Sequence, residues 1–152
     1  MPSRRDQIKM TEDEVRGFLA EQMVMQCATL GPRGFPHVVP LWYVPEGLEL
    51  CGWTYAKSQK AKNLERDARA TVAIEAGIQY QELHGVSMEC DVQLERDHDR
   101  IGEVADALVG RYAGGSNEMK DFFRGQVPKR VALRFTPTRI VTWDHRKLGG
   151  SY

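Results

Sequence analysis

The stretch His84–Glu95, "HGVSMECDVQLE", constrains the fold of this chain more than any other. Its apolar residues stand at 86, 88, 90, 92 and 94. A period of two places them all on one face of an extended strand, because successive side chains of a strand point to opposite sides. The segment therefore belongs to a sheet with one buried face. The connections upstream decide how that sheet is wound. Three strand-like runs, "MVMQCATL", "HVVPLWYV" and "LELCGWTY", are joined only by "GPRGFP" and "PEG". Turns this short close antiparallel hairpins, whereas a parallel pair needs a crossover of a dozen residues or more.

Residues 69–76, "RATVAIEA", read as a fourth strand. "RVALRFTPTRIVTWD" reads as the last strand or strand pair, with Pro137 marking a bend or an edge. Helices flank this array. Thr11 and Glu14 have capping-box spacing ahead of Val15, Phe18 and Leu19, which predicts an N-terminal helix over 11–22. "HDRIGEVADALVGRYAG" carries Ile101, Val104, Ala105, Leu108 and Val109 on one helical side. Residues 114–128 read as a polar, Gly-bearing segment anchored by Phe122 and Phe123, and residues 143–152 as the C-terminal tail, with "HRKLGGSY", 145–152, flexible. These patterns lead to an α+β fold with a small antiparallel barrel and helices outside it.

A length of 152 residues suits one domain, 1–152, with a real core. Lys+Arg and Asp+Glu balance at 21 each, which argues against a general nucleic-acid binder. No run approaches the roughly 20 apolar residues of a membrane span. The charged start "MPSRRDQIKM" has no apolar signal core, and we expect a cytoplasmic protein. Cys27, Cys51 and Cys90 lack C-x-x-C spacing and read as buried free thiols. His37, His84, His98 and His145 are scattered, and no metal-binding pattern is present. Neither a Ser-His-Asp set nor a carboxylate pair can be assembled, so no catalytic residue is assigned. Such an absence suits an enzyme whose cofactor carries the chemistry.

The most informative polar stretch is "WTYAKSQKAKNLERDARATVAIEAG", residues 53–77. Ser58 has the look of a helix N-cap, which places Lys57, Lys60 and Lys62 at the start of a short helix. A helix N-terminus already carries about half a positive charge, so cations are misplaced there unless something negative faces them. Two readings are open from spacing alone. The lysines either form a solvated helix face, or Lys57 and Lys60 hold an anion together with Ser58 and the free helix N–H groups. Lys62 points elsewhere in both, since residues two apart lie on different faces. Thr54 is a strand filler or a further hydroxyl ligand. Pro40, within "VVPLW", cannot donate to a ladder and marks an edge or a contact with something other than a neighbouring strand.

From Met23 to Leu64 the chain resembles the flavin-binding split-barrel family of pyridoxamine 5′-phosphate oxidases. "PHVVPLWYVPEGLELCGWTYAKSQKAKNL" is similar to that family's strand–hairpin–strand–phosphate-loop block, and "HGVSMECDVQLERD" to its next strand. The resemblance implies an antiparallel six-stranded split β-barrel with flanking helices. It implies a cofactor phosphate at Thr54, Lys57, Ser58 and Lys60, followed by Asn63. It places a flavin ring against the backbone of Val39, Pro40 and Leu41. It also implies a homodimer with cofactor sites at the interface, where Trp143 and the tail close the pocket.

"VTWDHRKLGGSY" resembles the tail of an actinobacterial branch, many of whose members use the deazaflavin coenzyme F420 in place of FMN. Oxidases of pyridoxamine phosphate typically carry an Arg-Lys pair after the serine, where this chain has Gln59 and Lys60, and their arginine-rich C-terminal motif is missing. The expectation is an F420-dependent oxidoreductase acting on a small conjugated acceptor. The alternatives are an FMN-dependent oxidase or flavin reductase, and a non-catalytic flavin- or haem-binding protein.

Overall fold

The computed structural model describes residues 1–150. Its centre is an antiparallel sheet of seven strands. They are β1 (Met25–Leu30), β2 (Pro36–Leu41), β3 (Val44–Glu46), β4 (Glu49–Tyr55), β5 (Arg69–Ala76), β6 (His84–Glu95) and β7 (Arg130–Asp144). Their order across the sheet is β2-β1-β5-β6-β7-β4-β3, with every pairing antiparallel. The helices are α1 (Arg4–Gln7), α2 (Glu12–Glu21), α3 (Gln59–Arg66), α4 (His98–Tyr112) and α5 (Asn117–Gly125).

The seventh strand corrects the expectation of six. "HVVPLWYV" reads as one strand, but the chain bends at Trp42–Tyr43 and its halves pair at opposite ends of the sheet. That bend dictates the overall shape. A flat sheet of seven strands would hold its edges about 29 Å apart, at ~4.8 Å per spacing. From Leu41 to Val44 the chain reaches at most about 11 Å. The sheet must therefore curl until its two edges nearly meet.

A polar knot holds the bend. The Tyr43 hydroxyl lies 2.8 Å from the carbonyls of both Leu19 and Gln22, at the end of α2. Arg111 donates to the same two carbonyls and lies over the Tyr43 ring at 5.0 Å. The Tyr112 hydroxyl accepts the Tyr43 N–H at 3.0 Å and sits 2.8 Å from the Tyr43 carbonyl. Trp42 stacks on the Tyr112 ring at 4.2 Å. One turn of α4 thus pins both the corner of the barrel and the end of α2.

The alternating residues Val86, Met88, Cys90 and Val92 enter the main core, together with Val15, Phe18 and Leu19 from α2. A capping box between Thr11 and Glu14 starts α2, as their spacing predicts. A second cluster, including Trp53, Ile101 and Leu108, lies under α4. Near Pro137 the β6–β7 register shifts between Glu89 and Cys90, so Thr138 is an extra residue bulged from the ladder. Cys27, Cys51 and Cys90 are buried free thiols, and burial pushes the first two up to about 11 and Cys90 up to about 12.

Two segments differ from expectation. Residues 117–125 form α5, capped by Ser116, with Phe123 stacked on Trp53 at 5.3 Å and Phe122 exposed. Trp143 and Asp144 belong to β7, as expected of the last strand, whereas His145–Leu148 form a 3-10 turn, and residues 151–152 lie outside the described residues. The turn is tied down because Arg146 pairs with the buried Asp144 at 2.9 Å, and Lys147 reaches Glu14 at 2.7 Å. Such ties leave the described part of the segment ordered rather than flexible.

Candidate functional site

At the loop from β4 into α3, Ser58 caps the helix, its Oγ accepting the Ala61 N–H at 3.1 Å. The Thr54 hydroxyl donates to that same oxygen at 3.2 Å. Lys60 reaches back so that its Nζ lies 3.4 Å from Thr54 Oγ1. Thr54, Ser58 and Lys60 therefore converge at the first turn of α3, where unpaired helix N–H groups also point. The helix buries Lys60, Ala61, Asn63 and Leu64 and leaves Lys62 exposed, as a helical spacing requires.

Lys60 is 8% exposed, and none of the ion pairs among the described residues involves it. Burial pushes its ammonium below the usual lysine range, and the charge of Arg130 pushes the same way. The side chain opposing that trend is the Cys27 thiol, itself held neutral by burial. A buried cation without a carboxylate costs several kcal/mol unless an anion arrives.

Arg130 is the residue that sequence reasoning missed. It stands opposite Tyr55 in the β4–β7 ladder, and its guanidinium lies over the rings of Tyr55 at 3.6 Å and Trp53 at 4.5 Å. Burial lowers its pKa too, and it also takes part in none of the ion pairs among the described residues. The cation at the start of "RVALRF" was visible in the sequence. Its place beside the Ser58 loop depends on a register that joins residues 75 apart.

The other expected site residues are distributed unevenly. Asn63 is fully buried and braces the helix, donating to Thr29 at 3.0 Å while its carbonyl accepts from Gln59 at 2.7 Å. Lys57 is exposed in the loop just before the cap. Val39 and Leu41 are half-buried on the inner side of β2, and Pro40 faces outward. Val39 lies opposite Cys27, the thiol that feels the charge of Lys60, so the inner face of β2 adjoins the cradle.

The outer edge of β2 has no strand partner among the described residues. Pro36 and Pro40 cannot donate to β1, so they occupy the phase that faces away from it, and only Val38 can offer an N–H there. Trp143 is not brought to the cradle. It sits at the far end of β7, packed over Gly85, where an added Cβ would lie 2.7 Å from the indole ring. His84 and His145 each contact a backbone carbonyl, at 2.7 and 2.8 Å.

Because Ser58 caps α3 besides lining the cradle, Ser58→Ala is expected to cost about 1 kcal/mol of stability in the ligand-free protein. Denaturant unfolding checks this, with Lys62→Ala as the unchanged control.

A curled antiparallel sheet with flanking helices defines a split-barrel protein. The chain belongs to the pyridoxamine 5′-phosphate oxidase family, whose pattern it matches over residues 11–144. A conserved hypothetical protein of Mycobacterium tuberculosis is 36% identical, with a TM-score of 0.90 over 99% of this chain and 95% of that one. An F420 reductase shares the fold at 19% identity, with a TM-score of 0.63 over 82% of this chain and 94% of that one. The haem storage protein of Vibrio cholerae does so at 19% identity, with a TM-score of 0.69 over 88% and 96%. No curated protein matches. No helix among the described residues is long and apolar enough to cross a membrane.

Proposed function

We propose that the protein is an oxidoreductase that uses reduced coenzyme F420 to pass a hydride to a small conjugated organic acceptor. One observation carries the cofactor site: Lys60 is buried beside Ser58 and Thr54 with no carboxylate to pair with among the described residues. These residues fit a phosphate. Ser58 and the N–H groups of α3 would bind its oxygens, Lys60 would supply buried charge, and Lys57 would add charge from the rim. Asn63 holds α3 against β1 and so keeps the cradle in place. Backbone and inner side chains of Val39, Pro40 and Leu41 would support the ring. Bound in reduced form, the deazaflavin would supply the hydride chemistry, and solvent would be the source of the accompanying proton. Support for F420 over FMN comes from the sequence, in the tail "WDHRKLGGSY" and in Gln59 standing where the oxidases carry arginine.

FMN is the second reading, favoured by Arg130. Two desolvated cations suit the two charges of a phosphate monoester better than the single charge of a diester. Absorption and fluorescence of the purified protein on adding F420, FMN or haem separate these ligands. The expected result is F420 binding, then oxidation of reduced F420 by a conjugated enone without peroxide release. Tight FMN binding with no F420 affinity would overturn the reading, and binding without turnover of any acceptor would make the protein a carrier.

In this reading the working unit is an isologous homodimer. Leu30, Val38 and Trp42 are exposed on and beside β1 and β2, and the β2 edge is open. A second copy covering that face would shelter both and enclose the shallow cradle. Light scattering at micromolar concentration is expected to give twice the chain mass, and a monomer with cofactor bound would refute the assembly.

A further inference from the structure

Beyond Phe135, β7 lacks a strand on one side. Its pairing with β4 stops where Leu50 faces Phe135, while β6 follows it on the other side to Asp144. The open side is closed again at Asp144, whose N–H donates to the Ile8 carbonyl at 2.7 Å. Between these points, residues 137–142 span about 17 Å at ~3.3 Å per residue. A cleft of about 540 Å³ opens along this gap, within the roughly 300–1,000 Å³ of ligand-binding clefts. Its lining comes from Leu48 at the β3–β4 turn, from β7 residues 139–142 and from side chains between Arg5 and Val15.

Backbone phase decides what the gap offers. The Ala56 N–H donates to the Lys129 carbonyl at 2.9 Å, so the odd-numbered residues of β7 up to Pro137 aim their backbone groups toward β4. The extra residue at Thr138 reverses that phase. Ile140, Thr142 and Asp144 therefore aim theirs at the gap, in keeping with the bond from Asp144 to Ile8. Met10 donates to the Thr142 hydroxyl at 2.9 Å rather than to its carbonyl. Ile140 and Thr142 are left with two donors and two acceptors that no strand meets among the described residues.

Side chains define the occupant. Met10, Val15, Leu48 and Ile140 give the cleft an apolar floor continuous with the main core. Arg5 and Arg139 are exposed beside it. Arg5 enters none of the ion pairs among the described residues. Arg139 reaches Glu89 only at 3.6 Å, with both side chains more than half exposed, and such a pair holds its charge weakly. The carboxylate on the lining, Glu12, is already held by Arg16 at 2.7 Å. A second copy of β7 would bring another Arg139 to the same place, and like charges across a strand pair repel. The gap therefore suits an acidic chain rather than its own twin.

We propose that this edge docks an extended peptide of another protein in which apolar and acidic residues alternate. The peptide adds a short strand to β7, bonding to the backbone of Ile140 and Thr142. Its apolar side chains face the floor with Ile140, and its acidic ones turn to the opposite face, where Arg139 stands. The chain leaving α1 already uses the end of the same edge at Asp144. This inference is independent of the cofactor reading, because the cradle lies at the other end of β7, beside Arg130.

The test is NMR titration and amide hydrogen exchange of the full-length protein, with the blocked hexapeptide EVEIEV as probe. Saturable binding is expected, with exchange at the Ile140 and Thr142 amides slowed at least tenfold. Arg5→Glu combined with Arg139→Glu should weaken binding at least tenfold, and both side chains are exposed, so the fold should survive. A fully N-methylated probe keeps the side chains and donates no main-chain bond, so it should not bind. That control leaves the protein unaltered. Ile140 and Thr142 amides already protected in the free protein would mean that the edge is covered, and would overturn the proposal. Failure of EVEIEV to bind does the same, as does equal binding of KVKIKV or of the N-methylated probe. Octanoate binding in the gap as tightly as the hexapeptide would make it a small-carboxylate pocket and overturn the strand assignment.

Discussion

Lys60→Met is expected to weaken cofactor binding at least tenfold while making the ligand-free protein more stable. A charge-assisted contact to phosphate contributes about 1.5–3 kcal/mol, and about 1.4 kcal/mol is a factor of ten in affinity. The gain in stability has a separate cause. The lysine is buried without an anion, and methionine fills a similar space with no charge to desolvate. Equilibrium unfolding of the apo protein measures that gain, and fluorescence titration measures the loss of affinity.

The pH dependence follows in sign. Burial lowers the Lys60 pKa in the folded state, so the unfolded chain holds this proton more firmly. Between the lowered value and the ordinary 10.5 the unfolded state binds more protons, and stability rises with pH. Below that window the full penalty of the buried ammonium applies. The stability gap between Lys60→Met and the wild type should therefore be widest at neutral pH and narrow as pH climbs toward 10.5. A gap that does not change with pH would mean that the ammonium is not penalised by burial.

Tyr43→Ala is expected to be the most damaging substitution away from the cradle, at about 3–5 kcal/mol, the usual cost of truncating a large buried aromatic. Tyr43 is fully buried, and its hydroxyl joins Arg111 on the Leu19 and Gln22 carbonyls. Losing it leaves the bend between β2 and β3 without its anchor. Because that bend sets where Val39 and Leu41 lie relative to α3, cofactor affinity should fall along with stability. Tyr43→Phe separates the two contributions. It keeps the ring and loses only the hydroxyl, so it should cost about 1 kcal/mol and leave affinity nearly intact. Denaturant unfolding of both variants and cofactor titration of whichever remains folded make the measurement.

Local pattern determined much of this protein without help from its fold. The period-two run from Val86 to Leu94 specified a half-buried strand, the capping box at Thr11 and Glu14 specified where α2 begins, and Ser58 marked the start of α3. Each signal lies within a dozen residues, the range over which backbone geometry and side-chain spacing act directly. Hairpin turns likewise settled that the sheet is antiparallel.

Other properties arise only when distant segments meet. "HVVPLWYV" has no break in its apolar run, and what splits it is a knot with Leu19, Gln22, Arg111 and Tyr112 from two helices. Arg130 joins the cradle because β7 pairs with β4, and Trp143 leaves it because the same strand carries the indole thirteen residues away. Whether a lysine is a solvated charge or a buried one is likewise invisible along the chain. Lys60 and Lys62 are chemically identical and two residues apart, and only the packing of α3 on β1 buries one and leaves the other in water. Burial decides the energy of a charge, and burial is a property of the assembled tertiary structure.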